Sequence, residues 1–174
     1  MLEGKSVNLR IMEKEDLPLM IDWFNNPDFL GEFWDYFPLQ RFRGEIEKIL
    51  EGNLFEQKYF IIEKKDGSKI GYVSHFNVLH PLGKLMEIGY VIAQNERCKG
   101  YCTEAVRLII DYLFLSRSVE RIQASTHVDN KASQRVLEKT GFKKEGIMRR
   151  ALFNKGNWKD GVLYSILREE RPRN

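Results

Sequence analysis

Apolar residues recur along the chain with two different periods, which predict where it forms helices and where it forms strands. Apolar positions three and four residues apart indicate an amphipathic helix, whereas short apolar runs bounded by turn residues indicate a strand. The helical period marks residues 16–24, 42–50, 103–115 and 130–140. The strand pattern marks residues 7–10, 59–63, 70–74, 85–92, 121–127, 142–148 and 162–167.

The order of these elements predicts the fold class. Asp66 and Gly67 separate two of the strand patterns, and Asp-Gly between apolar runs is typical of a hairpin whose strands pair antiparallel. Gly141 suits the left-handed position that ends a helix. The sequence therefore predicts a mixed α/β (α+β) fold in which about four helices flank a mostly antiparallel central sheet of about seven strands.

Length and composition limit the class of protein. With 174 residues, of which 43% are hydrophobic and 30% charged, residues 1–174 are predicted to form a single domain with its own core. No apolar run reaches the roughly 18 residues that cross a bilayer, and the first residues do not resemble a signal peptide, so we expect a cytoplasmic protein. A net charge of +3 without visible clustering excludes a dedicated nucleic-acid-binding protein. Two cysteines are too few for a disulfide framework or a zinc site, and no metal is expected.

The segment from Asn95 to Ala105 leaves a predicted strand and opens directly into a predicted helix. The first N–H groups of a helix have no intrahelical partner and lie at the positive end of its dipole, so they can bind a phosphate. Gly100 permits close approach of an anion, while Arg97 and Lys99 add positive charge. The segment matches neither the P-loop nor the dinucleotide-binding motif. On its own it is equally compatible with a solvated glycine turn before a helix.

A second motif follows about 30 residues later, and the two together resemble the hallmark motifs of the GNAT superfamily of N-acetyltransferases. The first family motif reads Gln/Arg-x-x-Gly-x-Gly/Ala. Arg97, Gly100 and Cys102 occupy its three specified positions, with cysteine where glycine or alanine is usual. The second motif is matched at Asn130, Ser133, Val136, Leu137, Glu138, Lys139, Gly141 and Phe142. Residues 87–90 and 160–165 are most similar to the ribosomal-protein N-terminal acetyltransferase (Rim) branch.

The resemblance implies a fold, a cosubstrate and a reaction. It implies the GNAT fold, whose sheet is splayed to admit acetyl-CoA, with acetyl-CoA as cosubstrate and no metal. It also implies a primary amine as acceptor, to which the acetyl group passes directly through a tetrahedral intermediate. The residues that it assigns to cofactor binding are Tyr90, Val91, Ile92, Arg97, Cys98, Lys99, Gly100, Tyr101, Cys102, Thr103, Asn130 and Ser133.

Two side chains are candidates for proton transfer. Strand alternation places Glu87 on the less apolar face, and we hypothesise that it receives the amine proton while a backbone N–H near Val91 faces the thioester oxygen. Ser133, one turn into its helix, is a candidate to bind the CoA sulfur and supply the leaving-group proton. The alternatives are that Glu87 forms a surface ion pair and that Ser133 is an ordinary helix residue. His127 is a second, weaker candidate for the base.

Asn130 and the two cysteines carry further expectations. Asn130 suits the N-cap of its helix. The resemblance implies that it also contacts the pantetheine arm, which is compatible if backbone atoms do the capping. Cys98 and Cys102 flank a helix N-terminus close to Arg97 and Lys99, so at least one thiol is expected to have a lowered pKa.

Aromatic residues and carboxylates interleave in one stretch of the N-terminal third. The resemblance implies that this stretch helps to wall the acceptor pocket, where aromatic faces and carboxylates suit a cationic amine. At least half of these rings are expected to be core instead. The rings are Trp23, Phe24, Phe29, Phe33, Trp34, Tyr36, Phe37 and Phe42.

The acceptor and the oligomeric state stay open at this point. The leading hypothesis is an acetyl-CoA-dependent N-acetyltransferase acting on a protein N-terminus or a small amine. The alternatives are a polyamine or antibiotic acetyltransferase on the same fold and a non-catalytic acyl-CoA-binding sensor. Neither nucleic acid nor a membrane is expected as a partner, and the family often forms homodimers.

Overall fold

The structure is a computed structural model that describes residues 1–31, 44, 47–48, 51, 58–80, 83–154 and 156–172. Its helices are α1 (Leu17–Phe24), α2 (Pro27–Leu30), α3 (Tyr101–Ser116) and α4 (Lys131–Lys139). Its strands are β1 (Leu2–Glu3), β2 (Val7–Ile11), β3 (Lys58–Lys64), β4 (Lys69–His80), β5 (Gly83–Ile92), β6 (Arg121–His127), β7 (Lys143–Asn154) and β8 (Asn157–Leu167). Across these ranges, no helix is long and apolar enough to span a bilayer.

The predicted fold class is confirmed. The described strands form one sheet of eight strands in the order β1-β2-β3-β4-β5-β6-β8-β7. Neighbouring strands pair antiparallel, except that β5 and β6 are parallel. The strand that the sequence did not predict is β1, whose two residues are too few to show an alternation. Of the predicted helix at residues 42–50, the described residues Gly44, Glu47 and Lys48 are helical, and the rest lies outside the described residues.

The sheet carries a hydrophobic core on each of its faces. On the first face lie α3 and α4, and α3 buries Ala105, Val106, Ile109, Ile110, Leu113 and Phe114. On the second face lie α1 and α2. Alternation along β5 sends Met86, Ile88 and Ile92 into the first core and Val91 into the second. The pairing of β4 with β5 has no register shift, so Glu87 shares the second face with Val91.

The parallel strands β5 and β6 separate soon after they meet. They pair only at Met86 with Ile122 and at Glu87 with Gln123. Both strands then continue, β5 to Ile92 and β6 to His127, without a further pair between them. The sheet is therefore splayed beyond Glu87, as the family resemblance implies, and one edge of β5 faces the gap.

Candidate active site

A cleft of about 420 Å³ lies against the separated end of β5. Its other walls are the loop before α3, the first turn of α3 and one side of α4. Of the predicted cofactor residues, those that line it are Tyr90, Val91, Ile92, Arg97, Cys98, Gly100, Tyr101, Cys102, Thr103, Asn130 and Ser133. Lys99 is the exception; its Nζ lies 3.0 Å from Oε2 of Glu96, which does line the cleft. Two motifs that are distant in sequence thus meet in one cleft.

Two left-handed residues shape the loop before α3. Cys98 has a φ of 62°, and Gly100, the N-cap of α3, has a φ of 88°. Left-handed residues in such a loop turn successive N–H groups toward one side, which forms a concave site for an anion. Within the described residues, no side chain caps this helix end, and a Cβ at Gly100 would meet no atom within 4 Å. The loop therefore presents N–H donors beside open space.

The Arg97 guanidinium is engaged with backbone oxygens. Its Nη2 donates to the carbonyl oxygens of Asp28 and Phe29, at 3.2 and 2.9 Å, and its Nε donates to that of Ile92 at 3.1 Å. These bonds fasten the loop to α2 and to the end of β5. The positive charge of Arg97 thus lies beside the cleft, while its described hydrogen bonds serve the loop.

Two positively charged side chains of α4 also line the cleft, and the sequence did not lead us to predict them as cleft residues. Arg135 and Lys139 are four residues apart and share one helix side with Ala132 and Val136. The signal for them was present, because helical spacing from the second motif places all four on a single stripe. They add positive charge to a cleft whose loop already favours anions.

Asn130 begins α4 with its side chain rather than with backbone atoms alone. The N–H of Ser133 donates to Asn130 Oδ1 at 3.1 Å, which is the usual N-cap bond. The predicted N-cap is therefore confirmed, and it is the Asn130 side-chain oxygen that caps the helix. The cap uses only the side-chain oxygen of Asn130, and the residue also lines the cleft.

Ser133 is connected across the cleft to β5. Its Oγ lies 2.9 Å from the hydroxyl oxygen of Tyr90, and the Ser133 carbonyl oxygen, at 3.2 Å, is a second acceptor within reach of the Tyr90 proton. Burial raises the pKa of Tyr90 well above its ordinary value. The Tyr90 hydroxyl therefore keeps its proton near neutral pH.

The hydrogen-bond ladder decides which backbone groups of β5 face the gap. Ala93 N–H donates to the Ile70 carbonyl oxygen at 2.8 Å, and hydrogen-bonded pairs alternate along an antiparallel ladder. The pair of Tyr72 and Val91 is then hydrogen-bonded too, which directs the Val91 N–H toward β4. The N–H groups of Tyr90 and Ile92 consequently point toward the gap.

Glu87 is half-buried where β5 and β6 still pair. Its carboxylate accepts hydrogen bonds from Ser125 Oγ at 2.8 Å and Gln123 Nε2 at 2.9 Å, both on the neighbouring strand β6. Both donors are neutral, so these contacts are not the surface ion pair that was the alternative for this residue. Two bonds leave acceptor positions on the carboxylate oxygens for a further donor.

The cysteines and the histidine differ from the expectations for them. Burial raises the pKa of the Cys102 thiol to about 12, so a lowered pKa is wrong for this residue. Cys98 is exposed. His127 is buried at the end of β6, away from the cleft wall. Nowhere in the described ranges do three His, Cys, Asp or Glu side chains gather as metal ligands do.

The aromatic residues that the structure describes on the second face are core. Trp23 and Phe29 stack with their ring centroids 4.7 Å apart and are 9% and 5% exposed. Phe24 stacks on Tyr72 at 5.4 Å. The remaining rings of the predicted acceptor wall, Phe33, Trp34, Tyr36, Phe37 and Phe42, lie outside the described residues.

Comparison with known proteins identifies the same family that the two sequence motifs resemble. The model of the acetyltransferase (GNAT) domain family matches residues 6–143. The chain is 35% identical over 178 residues to YjcK of Bacillus subtilis (strain 168), described as a probable N-acetyltransferase. That similarity covers 96% of this chain and 97% of YjcK.

Two solved structures share the fold at low sequence identity. Spermidine N-acetyltransferase from Vibrio cholerae, in complex with CoA and spermine, matches with a TM-score of 0.83 and 21% identity over 96% of this chain and 98% of that chain. Ribosomal-protein-S5-alanine acetyltransferase from Vibrio fischeri matches with a TM-score of 0.82 and 23% identity over 98% of both chains. With the family match over most of its length and the full-length similarity to YjcK, the chain belongs to the GNAT family of N-acetyltransferases.

Proposed function

We propose that this GNAT acyltransferase moves the acetyl group of acetyl-CoA directly to a primary amine, either a protein N-terminus or a small amine. The observation that carries the proposal is the single cleft that joins the N-terminus of α3 to Ser133 beside the splayed end of β5. One end of this cleft suits phosphate groups, and the other holds a hydroxyl beside backbone donors.

The residues of the cleft fit the parts of acetyl-CoA. The N–H groups around Gly100 would hold the pyrophosphate, because they are uncapped and lie at the positive end of the α3 dipole. Arg135 and Lys139 would balance further phosphate charge. The gap-facing edge of β5 and the Asn130 amide would pair with the amide groups of the pantetheine arm.

The chemistry then divides among three groups of the chain. Bound acetyl-CoA supplies an activated acetyl thioester. One of the two gap-facing N–H groups, that of Tyr90 or that of Ile92, would donate to the oxygen on which negative charge develops, an effect that is usually among the largest in acyl transfer. Glu87 would accept the proton of the attacking amine, directly or through a water molecule.

Ser133 would act at the leaving sulfur. A thiol of pKa about 8.5 gives a thiolate that needs little help to leave near neutral pH. A hydrogen bond from the Ser133 hydroxyl is therefore a sufficient contribution, and the serine need not give up its proton. The proton released by the amine leaves through Glu87.

The acceptor belongs to one of two classes. The two Vibrio proteins of the same fold are named for spermidine and for the alanine of a ribosomal protein, so this fold serves small polyamines and protein N-termini alike. A negative Glu87 suits either, since both acceptors are cationic before they react. Glu87 held by Ser125 and Gln123 also favours an enzyme over an acyl-CoA sensor, which has no need of a base.

The experiment that tests the proposal measures CoA release from acetyl-CoA with a panel of acceptors. The panel contains N-terminal peptides, polyamines, aminoglycosides and free amino acids. We expect acceptor-dependent CoA release with at least one class and an acetylated amine by mass spectrometry. Tight CoA binding without turnover on any amine would favour the sensor instead.

A further inference from the structure

Tyr90 links the two arms of the splayed sheet. It lies on β5 three residues beyond the last pair with β6, and its hydroxyl reaches α4, the helix that follows β6. The side chain is half-buried and lines the same cleft as Ser133. Neither sequence motif predicts this contact, because it joins residues 43 positions apart.

The Tyr90 hydroxyl has a single proton, and two oxygens of Ser133 lie within its reach. The Tyr90 oxygen is nearer to Ser133 Oγ, at 2.9 Å, than to the Ser133 carbonyl oxygen, at 3.2 Å. That carbonyl already lies within α4, where it accepts the ordinary helical hydrogen bond. A Tyr90 proton directed at Ser133 Oγ leaves the serine's single proton free to point into the cleft.

We propose that Tyr90 is a positioning residue that orients the Ser133 hydroxyl toward the leaving sulfur. The proposal rests on the function proposed above, since it gives Ser133 the role of donor to that sulfur. A hydrogen bond from Tyr90 to Ser133 Oγ would also strengthen the hydrogen bond from Ser133 to the CoA sulfur, because hydrogen bonds in a chain polarise one another. Tyr90 itself exchanges no proton with the substrate.

The test is a double-mutant cycle of Tyr90→Phe and Ser133→Ala with two readouts. The first readout is kcat with acetyl-CoA and an active amine. The second is the pKa of the CoA thiol in the binary complex, followed by the ultraviolet absorbance of the thiolate, which needs no acceptor. We expect Tyr90→Phe to lower kcat roughly tenfold, as the loss of one oriented hydrogen bond does, and to raise the pKa of the bound thiol.

In the Ser133→Ala background, Tyr90→Phe is expected to change neither readout further. Tyr164→Phe is the matched control, because the Tyr164 hydroxyl also donates to α4, to Glu138 Oε1 at 3.0 Å, but outside the cleft. This control is expected to keep both readouts of the parent protein.

Three results would overturn the inference. The first is an equal loss from Tyr90→Phe with and without the serine, which would mean that Tyr90 acts independently of Ser133. The second is a Tyr90→Phe variant that binds CoA more tightly with unchanged kcat and thiol pKa. Tyr90 would then only hold β5 and α4 together across the gap and would not orient Ser133. The third is an unchanged thiol pKa in Ser133→Ala. A wild-type protein without acetyl transfer on any amine would instead refute the proposed function, and the thiol pKa would still decide the role of Tyr90.

Discussion

Among single residues, Glu87 has the clearest proposed role, because the groups that contact its carboxylate are neutral. Strand alternation predicted its face, and the structure places it on that face with two neutral donors on β6. Glu87→Gln keeps the shape of the side chain, and the contacts with Gln123 and Ser125 can persist. The glutamine side chain, however, can no longer accept a proton. We expect kcat to fall by about 10² to 10⁴ at neutral pH, the usual cost of losing a general base.

The pH dependence distinguishes this role from a structural one. The loss in Glu87→Gln should shrink as pH rises, because a larger share of the acceptor amine is then deprotonated without help. The control is Glu63→Gln, which removes the negative charge from the ion pair of Glu63 on β3 with Arg10 on β2, whose Oε1 and Nε lie 2.9 Å apart; neither residue lines the cleft. It should lower thermal stability and leave kcat unchanged. A pH profile of Glu87→Gln that runs parallel to that of the parent would demote Glu87 to a structural residue.

The cysteines show where residue-scale reasoning from sequence was incomplete. A helix N-terminus and two cations predict a more acidic thiol, but burial opposes the charged form and raises the pKa of Cys102 to about 12. Burial depends on residues from β5 and α4 that are distant in sequence. The position of the thiol along the chain could not reveal it.

The cysteine pair yields a prediction about alkylation. Cys98 is exposed, whereas Cys102 is only partly exposed and its raised pKa leaves almost no thiolate at neutral pH, so Cys98 should react at least about tenfold faster. Saturating CoA should slow the reaction of Cys98, since the pyrophosphate would cover the loop. Mass spectrometry of single Cys98→Ser and Cys102→Ser variants separates the two rates. Equal rates for both thiols, or a Cys98 rate indifferent to CoA while CoA is bound, would contradict this picture.

At the scale of elements, the phosphate-binding loop was the most predictable part of the site. Its glycine, its cations and the helix that follows are all local, and α3 begins within two residues of the predicted start. What the sequence could not reveal is where the side chains point. Arg97 turns to the carbonyl oxygens of α2. Arg135 and Lys139 share a stripe of α4 that the helical spacing does reveal, but only the packing of α4 shows that this stripe lines the cleft.

A substitution at Gly100 tests whether the loop before α3 binds the pyrophosphate. Gly100→Val would place a branched side chain in the open space beside the N–H donors, so CoA should bind more than about tenfold more weakly by calorimetry. The matched control is Gly67→Val in the turn between β3 and β4, where φ is 83° and the surrounding space is also open. Both variants suffer similar backbone strain. If Gly100→Val binds CoA as Gly67→Val does, the pyrophosphate site lies elsewhere.

At the scale of the whole molecule, the periodicity predicted the strands but not the way they assemble. The hairpin of β3 and β4 follows from Asp66 and Gly67, which are adjacent in sequence. The parallel contact of β5 and β6 has only two register pairs and joins strands on either side of α3, so no local pattern encodes it. The family resemblance implied that the sheet is splayed, and the structure shows that β5 and β6 separate after Glu87.

Thermal unfolding with saturating CoA tests whether this splayed sheet forms a site for CoA. A ligand at 100 times its dissociation constant adds about 2.7 kcal/mol to the native state, which corresponds to a rise in Tm of roughly 5 to 10 °C for a chain of this size. We predict a rise of that order with CoA or acetyl-CoA, and a smaller one with adenosine. A cooperative unfolding transition whose Tm does not move at saturating CoA would contradict the presence of such a site.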